Sequence, residues 1–254
     1  MKILTCLKQV PDSTTKIKVA ADARSVVTEG ITWSISPYDE YAVELALEHK
    51  DGDPATTVSA VSVGPARAKD ALRAALAMGC DDATLVTGDG VENATAAEIA
   101  AALAAVVTDL APELVVCGKQ ASDDDQGLVG PALADLLGWP HVALVTKFAA
   151  AGGGLEIWKE VEGGHEVWKA TGPVVLTVQK SAKEPRYPSL PGIMKAKKKE
   201  IPERAFAATD GPRTLVTRLE PPPQRGAGKI LKDGDPAGLA TELVALLRDE
   251  AKVL

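Results

Sequence analysis

The sequence predicts an α/β fold with a doubly wound, mostly parallel sheet, an antiparallel hairpin extension and a C-terminal arm. Up to Pro140, short apolar runs alternate with longer amphipathic segments, which is typical of parallel strands covered by helices on both faces. Beyond Pro140, apolar and polar residues alternate with a period of two, as expected for antiparallel strands. The run Pro221-Pro222-Pro223 then separates a last segment from the body of the chain.

The parallel part is predicted element by element. Its strands are the apolar runs at 3–7, 57–63, 83–86 and 114–117. A helix begins at Ser36, which is a good N-cap, with Pro37 in the first position and Asp39 completing a capping box. Further helices are predicted at 66–78, 94–110 and 129–137.

The remaining elements follow in chain order. Residues 155–161 and 165–171 alternate around the turn Glu162-Gly163-Gly164, and with 174–178 they predict antiparallel strands that extend the sheet. A short basic helix is predicted at 195–199 and an amphipathic helix at 239–247. We therefore divide the chain into an α/β domain at 1–220, with the hairpin at 155–179, and an arm at 221–254.

Composition narrows the classes of function. The chain has 254 residues, of which 46% are hydrophobic and 25% charged, as in ordinary globular domains. No apolar run reaches the roughly 20 residues of a membrane span, so we expect no membrane insertion. A net charge of −7 disfavours nucleic-acid binding. The first residues lack a secretory signal pattern, and we expect a cytoplasmic location.

Catalytic and metal motifs are missing from the sequence. Cys6, Cys80 and Cys117 lie far apart with no CxxC or HxxH spacing, so we interpret them as small buried hydrophobes and expect no metal. The three histidines are isolated, and His49 ends a predicted helix. No GxSxG, HExxH or Cys-His arrangement is present, so no catalytic residues are assigned.

A ligand is expected at the carboxyl ends of the parallel strands, where the strand order reverses. Cys6, residues 36–39 and the loop 118–131 lie at such ends. The loop enters a helix and offers free N–H groups to a phosphate, although it matches neither GxGxxG nor GxxxxGK[ST]. A plain strand-to-helix connection remains the alternative. Three consecutive acids, Asp123 to Asp125, are interpreted as a solvated or capping run.

Four segments closely resemble the β subunit of electron transfer flavoprotein, and the resemblance covers essentially the whole chain. They are SPYDEYAVE at 36–44, ALAMG at 75–79, GKQA at 118–121 and EPRYPSLPGIMKAKKK at 184–199. The last is the most specific, because few families place a proline-bounded leucine before such a basic run. The fold implied is Rossmann-like, of the adenine nucleotide α-hydrolase type.

The resemblance implies a heterodimer with an α subunit that holds most of a shared FAD, and an AMP bound by this chain as a structural ligand. It implies a carrier that takes electrons from acyl-CoA dehydrogenases of fatty acid oxidation, not an enzyme, with a quinone oxidoreductase as acceptor. By position, the cofactor-binding residues are Cys6, Ser36, Pro37, Tyr38, Asp39, Val63, Gly118, Lys119, Gln120, Ala121, Ser122, Asp123, Asp124, Asp125, Gln126, Gly127, Leu128 and Val129.

One position departs from the family. The family usually has Gln where this sequence has Leu128, which cannot donate a hydrogen bond to phosphate. Backbone N–H groups, Gln126 and Ser122 would then hold the phosphate. Tyr38 stands where the family brings an aromatic ring toward the flavin, although a core role at the helix start is an equal alternative.

Residues 184–199 resemble the family's recognition loop for acyl-CoA dehydrogenases, with Leu190 as the anchor between Pro188 and Pro191. The partner-binding residues implied are Tyr187, Leu190, Pro191, Ile193, Met194 and Lys195. The lysines at 195–199 steer acidic partners or form a solvated helix face. Two other functions remain open: a bifurcating form with a second FAD in place of AMP, and a stress-protein-like adenine nucleotide-binding domain.

Overall fold

A mixed sheet forms the centre of the molecule in the computed structural model, which describes residues 1–180, 183–207, 214, 216–223 and 228–254. Within these residues the sheet has nine strands, which are β1 (Lys2–Leu7), β4 (Thr57–Val63), β5 (Asp82–Thr87), β6 (Leu114–Gly118), β7 (His141–Ala151), β8 (Gly154–Val161), β9 (Gly164–Ala170), β10 (Val174–Val178) and β11 (Glu203–Ala205). Their order across the sheet is β11-β5-β4-β1-β6-β10-β7-β8-β9. A separate antiparallel pair joins β2 (Gln9–Pro11) to β3 (Trp33–Ile35).

Six α-helices accompany these strands in the described part of the chain. They are α1 (Pro37–Gly52), α2 (Lys69–Met78), α3 (Ala96–Leu110), α4 (Val129–Leu137), α5 (Leu190–Lys198) and α6 (Pro236–Ala245). The strand and helix order confirms the predicted doubly wound fold, because every pair from β11 to β7 is parallel. The order reverses at β1, since β4 lies on one side of it and β6 on the other.

Successive side chains along each strand point to opposite faces of the sheet, and this divides the core into two layers. Ile3 on β1 packs with α1 and α2, whereas its neighbour Leu4 packs with α3 and α4 on the opposite face. Leu114 and Val115 on β6 divide in the same way. Both faces of the parallel strands are therefore buried, which explains why these strands are almost wholly apolar.

The region after Pro140 differs from the prediction in two respects. β8 and β9 form the expected antiparallel hairpin, but β8 also pairs antiparallel with β7, a strand that was not predicted. The strand at 174–178 was expected to be antiparallel as well, and this is wrong, because β10 pairs in parallel with both β6 and β7. All five of its residues are buried, as in a central parallel strand.

The helices predicted at 66–78 and 195–199 have different bounds in the structure. The segment at 66–78 begins with a 3-10 turn (Ala66–Ala68), and α2 follows it. The basic helix at 195–199 begins earlier, because Ser189 caps α5 through its hydroxyl and Pro191 suits its first turn. The segment around Leu190, expected to be a loop, is therefore the first turn of a helix.

The predicted arm lies in part outside the described residues, at 224–227. Its helix α6 begins at Pro236, three residues before the predicted start, because the Asp235 side chain accepts hydrogen bonds from the N–H groups of Ala237 and Gly238. None of the residues of α6 is buried, and Leu243 and Val244 are exposed. The helix thus presents apolar surface that the described residues do not cover. In the described part of the chain, no helix combines the length and apolar character needed to cross a membrane.

The first prediction concerns the layer between α2 and the sheet. Leu72 is fully buried there, whereas Leu136 on α4 is 56% exposed. Leu72→Ala should lower the free energy of unfolding by about 2–5 kcal/mol, because it leaves a cavity in a packed layer. Leu136→Ala is the matched control and should change it by less than about 0.5 kcal/mol. Urea unfolding followed by circular dichroism measures both, and equal losses would contradict this description of the core.

Candidate functional site

The reversal of strand order brings the ends of β1 and β6 together with the start of α1. Asp39, in the first turn of α1, is buried with 6% exposure. Its Oδ2 accepts a hydrogen bond from the Lys8 backbone N–H at 2.7 Å, just after β1. Its Oδ1 accepts one from the Gly118 N–H at 2.9 Å, at the end of β6. One carboxylate thus ties three elements together at this edge.

This arrangement replaces the predicted capping box. Ser36 precedes α1 as expected, but its side chain makes no capping hydrogen bond. Asp39 faces the ends of the strands because two N–H groups there need an acceptor away from water. The Ser36 hydroxyl is fully buried and, among the described residues, its oxygen has no hydrogen-bond partner.

Burial raises the pKa of Asp39 from 3.8 to about 7, although the N–H groups of Lys8 and Gly118 and the Lys8 ammonium act in the opposite direction. The Asp123 carboxylate adds to the increase. The charge of Asp39 therefore changes near neutral pH. At higher pH the carboxylate is negative, and at lower pH it is protonated.

Gly118 is required by the close packing around Asp39. A Cβ atom at this position would overlap Asp39 Oδ1 and would lie 2.9 Å from the Asp39 backbone nitrogen and from the Tyr38 carbonyl carbon. Backbone atoms cannot move aside as the end of a flexible side chain can. The loop after β6 can thus leave the sheet along this path only with glycine at 118.

The loop between β6 and α4 is held by its own polar groups. Lys8 Nζ pairs with Asp123 Oδ1 at 2.8 Å and with Asp124 Oδ2 at 2.9 Å. Gln120 Nε2 donates to Asp125 Oδ1 at 2.7 Å. The three acids therefore fix the loop against β1 and within itself. In the described residues, no group of three or more acidic, histidine or cysteine side chains could hold a metal ion.

The start of α4 faces the same edge without a capping side chain. Leu128 occupies the N-cap position and is 54% exposed, and a leucine side chain cannot accept from the N–H groups of the first turn. Those N–H groups and the positive end of the helix dipole suit an anion. Gln126, expected to help hold a phosphate, donates instead to Asp124 Oδ2 at 3.3 Å.

Cys6 and Cys117 lie side by side on β1 and β6, close to Asp39. They are register partners, both are buried, and both are free thiols, which confirms the interpretation of these cysteines as buried hydrophobes. A hydrogen bond with Cys117, burial, and the nearby Asp39 raise the pKa of Cys6 well above its usual value. A protonated thiol is a poor nucleophile, which argues against a reactive role for Cys6.

Polar groups without partners indicate what this edge can hold. The Ser62 hydroxyl, on β4 beside the predicted residue Val63, is buried, and like Ser36 Oγ it has no hydrogen-bond partner among the described residues. A buried hydroxyl without a partner costs free energy that a ligand can recover. These two hydroxyls and the N–H groups at the start of α4 lie at the carboxyl edge of the same sheet, which is the edge where a ligand is expected.

The predicted cofactor residues thus divide into three groups. Cys6, Ser36, Asp39, Val63 and Gly118 lie on or beside the strand ends. The loop residues Lys119, Gln120, Ala121, Ser122, Asp123, Asp124, Asp125, Gln126 and Gly127 lead from there to Leu128 and Val129 at α4, while Pro37 and Tyr38 open α1. Sequence reasoning missed Lys8 and Ser62. Their only signal was that each is adjacent to a predicted strand end.

A second exposed surface lies at α5, on the α2 side of the sheet. Tyr187 is 96% exposed, Leu190 79% and Met194 58%. Pro191 and Lys195 are exposed as well, whereas Ile193 is partly buried against the core. We name Tyr187, Leu190 and Met194 the apolar patch. All three were predicted as partner-binding residues from the sequence. Arg73 and Glu44, which hold the segment 184–199 in place, were not identified.

Comparison with known proteins gives a consistent result over the whole chain. A family model for the electron transfer flavoprotein domain matches residues 24–209. The chain is 40% identical over 259 residues to electron transfer flavoprotein subunit beta of Bradyrhizobium diazoefficiens, and the match spans 100% of both chains. The Bacillus subtilis subunit beta is 39% identical over 261 residues, again with 100% of both chains covered. The Homo sapiens subunit beta is 35% identical over 258 residues, with 100% of this chain and 99% of the human chain covered.

The second prediction concerns the pH dependence of Asp39. Between its unfolded pKa near 3.8 and its folded pKa of about 7, the folded protein binds a proton that the unfolded chain does not. The contribution of Asp39 to stability therefore increases as pH falls from 8 to 5, and it is lost as pH rises through about 7. Asp39→Asn removes this titration. The stability difference between wild type and Asp39→Asn, measured by urea unfolding at each pH, should grow in favour of wild type as pH falls. A difference independent of pH would refute it.

Proposed function

Because the chain belongs to the electron transfer flavoprotein family, we propose that it acts as the β subunit of a heterodimeric electron carrier, with no substrate turnover of its own. In this proposal an α subunit and this chain share one FAD, and this chain also holds one AMP. The observation that carries the proposal is the polar edge at the β1/β6 switch point. This edge offers two unpartnered hydroxyls and an uncapped helix start to a nucleoside monophosphate.

The AMP site is built from this chain alone. The N–H groups of Val129 and Gly130 in the first turn of α4 would hold the phosphate, while the hydroxyls of Ser36 and Ser62 would bond the nucleoside. Asp39 fixes the two strand ends that carry the pocket. AMP would act as a structural ligand, because no nucleophile or proton-transfer pair faces it among the described residues.

FAD would supply the redox chemistry of the heterodimer, and the contribution of this chain is positional. Tyr38 is half-buried at the start of α1, beside the same edge, so part of its ring remains available to a flavin bound mainly by the α subunit. The exposed leucine and valine of α6 support the proposal that residues 221–254 form an arm on the α subunit. Residues 1–220 form the nucleotide-binding domain in this division.

AMP is favoured over a second FAD by the charge around the loop. Three carboxylates, Asp123, Asp124 and Asp125, lie on the loop, and Lys8 already pairs with two of them. A pyrophosphate would bring a second phosphate to a site where Leu128 offers no donor. An additional buried phosphate oxygen without a donor is costly.

The third prediction is the ligand content of the heterodimer. Denaturing the purified αβ heterodimer and identifying the released ligands by mass should give one FAD and one AMP for each heterodimer. The charge of the loop and the uncapped start of α4 are the physical reason. Two FAD and no AMP would show that this chain holds a second flavin, as in a bifurcating form.

The patch at α5 supports a docking role toward acyl-CoA dehydrogenases, with onward transfer to a quinone oxidoreductase. Leu190 is 79% exposed at the first turn of a helix, and Tyr187 and Met194 extend the apolar surface. Lys195, Lys197 and Lys198 in the last turn place positive charge beside it, which favours an acidic rim on the partner. An exposed leucine in a helical turn loses little conformational entropy on burial.

The fourth prediction tests this docking role. Leu190→Ala should leave the FAD content of the heterodimer unchanged and should slow electron transfer from an acyl-CoA dehydrogenase about tenfold at low heterodimer concentration. The reason is the loss of the central apolar anchor. The rate is measured by following FAD reduction at several heterodimer concentrations. Unchanged transfer kinetics would remove Leu190 from the docking surface.

A further inference from the structure

We propose that Arg73 and Arg186 are positioning residues that hold the apolar patch in its docking geometry before a partner arrives. This inference rests on the proposed docking function. It concerns how the patch is presented, whereas the proposed function concerns what the patch contacts. Two guanidinium groups hold the segment 184–199, one close to each end.

Arg186 fixes the beginning of the segment to α1. Its Nε donates to Glu44 Oε2 at 2.8 Å and its Nη2 to Glu44 Oε1 at 2.9 Å, which is a bidentate pair. The Arg186 backbone N–H also donates to Glu44 Oε2 at 3.0 Å. Glu44 is only 3% exposed, and Asp51 Oδ2 accepts a further bond at 2.8 Å. Both the side chain and the backbone of Arg186 are therefore immobilised, directly before Tyr187.

Arg73 fixes the other end of the segment to α2. Its Nη1 donates to the carbonyl of Ala196 at 3.1 Å, and the carbonyls of Lys197 and Lys199 lie at 3.4 and 3.5 Å. Ala196 and Lys197 lie in the last turn of α5 and Lys199 is its C-cap residue, so Arg73 binds the carbonyl end of this helix. A cation there also complements the helix dipole. Arg73 thus acts as a side-chain cap supplied by a neighbouring helix.

Close packing between the two arginines leaves the helix little freedom. A Cβ at Gly192 would lie 2.5 Å from the Ala77 carbonyl oxygen of α2, so the backbone of α5 contacts α2 directly. Ala196 is buried, and Ile193 packs against the core on the same inner side. Leu190 and Met194 consequently remain on the outer side.

Rigid presentation has a measurable consequence for binding. A patch that is ordered before docking does not lose the conformational entropy that a mobile segment would lose on complex formation. Removing a restraint should therefore weaken docking while leaving electron transfer within the complex unchanged. In steady-state terms, KM for the heterodimer rises and kcat stays constant.

The fifth prediction is a double-mutant cycle in the αβ heterodimer, with an acyl-CoA dehydrogenase as electron donor. Arg73→Ala should raise KM for the heterodimer about threefold to tenfold with kcat and FAD content unchanged. If Arg73 acts by presenting the apolar patch, the increase in KM for the double variant Arg73→Ala/Leu190→Ala should be smaller than the product of the two single increases, because Leu190, the central group of the patch, is already missing.

Two further variants complete the experiment. Arg186→Lys keeps the charge that Glu44 requires but loses the bidentate geometry, and it should raise KM less than Arg73→Ala. Arg204→Ala is the matched control, because Arg204 pairs with Asp109 on α3, on the opposite face of the sheet from α2. It should leave KM unchanged.

The outcomes separate the inference from the proposed function. A raised KM for Leu190→Ala together with an unchanged KM for Arg73→Ala overturns the inference and leaves the docking role in place. If the increase in KM for the double variant equals the product of the two single increases, the inference is also overturned, since Arg73 would then act independently of Leu190. A fall in kcat and FAD content without a change in KM would show a general structural role and would overturn it too. An unchanged KM for Leu190→Ala contradicts the docking role itself, and the inference with it.

Discussion

The Asp39 carboxylate accepts hydrogen bonds from the N–H groups of Lys8 and Gly118, which lie at the ends of the two strands flanking the switch point. These strands would otherwise present two buried donors without acceptors, which a folded chain rarely tolerates. The same contact fixes where α1 begins and the direction in which the loop leaves β6. The proposed AMP pocket lies between these elements, so its shape depends on this one carboxylate.

Helix α1 connects that pocket to the docking surface. Its first turn carries Asp39, and its buried Glu44, about one and a half turns further along, binds Arg186. Asp51 near its C-terminal end binds the same guanidinium. Isolated surface ion pairs contribute little to stability, but a bidentate pair on a buried carboxylate specifies geometry strongly. One helix therefore supports the pocket at one end and the apolar patch along its length.

The sequence indicated the architecture well, because apolar residues recur at the positions that each strand or helix buries, and this recurrence is visible in the sequence. The buried strands and α3 differ from their predicted bounds by only one or two residues, and α4 has the predicted bounds. The parallel pairing of β10 was missed because a fully buried strand has no alternation that would show its direction. The prediction that Asp39 completes a capping box was wrong. The spacing from Ser36 to Asp39 fits a capping box equally well, whereas the actual partners, the N–H groups of Lys8 and Gly118, are remote in sequence.

Some features of the docking segment could be predicted and others could not. The prolines around Leu190 indicated a restrained backbone, but this pattern is shared by loops and helix starts. The Ser189 side chain, which caps α5, makes this segment a helix start. Arg73 lies on a predicted amphipathic helix, where an arginine on the polar face is ordinary. Its function as a cap on α5 depends on a tertiary contact with carbonyls more than 120 residues away.

The edge organised by Asp39 is proposed to bind a nucleoside monophosphate. Calorimetric titration of AMP into the nucleotide-stripped αβ heterodimer tests it most directly, with Arg204→Ala as a control on the opposite face. Wild type and the control should bind AMP with equal affinity and a stoichiometry of one. Asp39→Asn should bind roughly tenfold more weakly, because an amide cannot accept from both strand ends. Equal affinity for Asp39→Asn, or no AMP binding by wild type, would contradict the account.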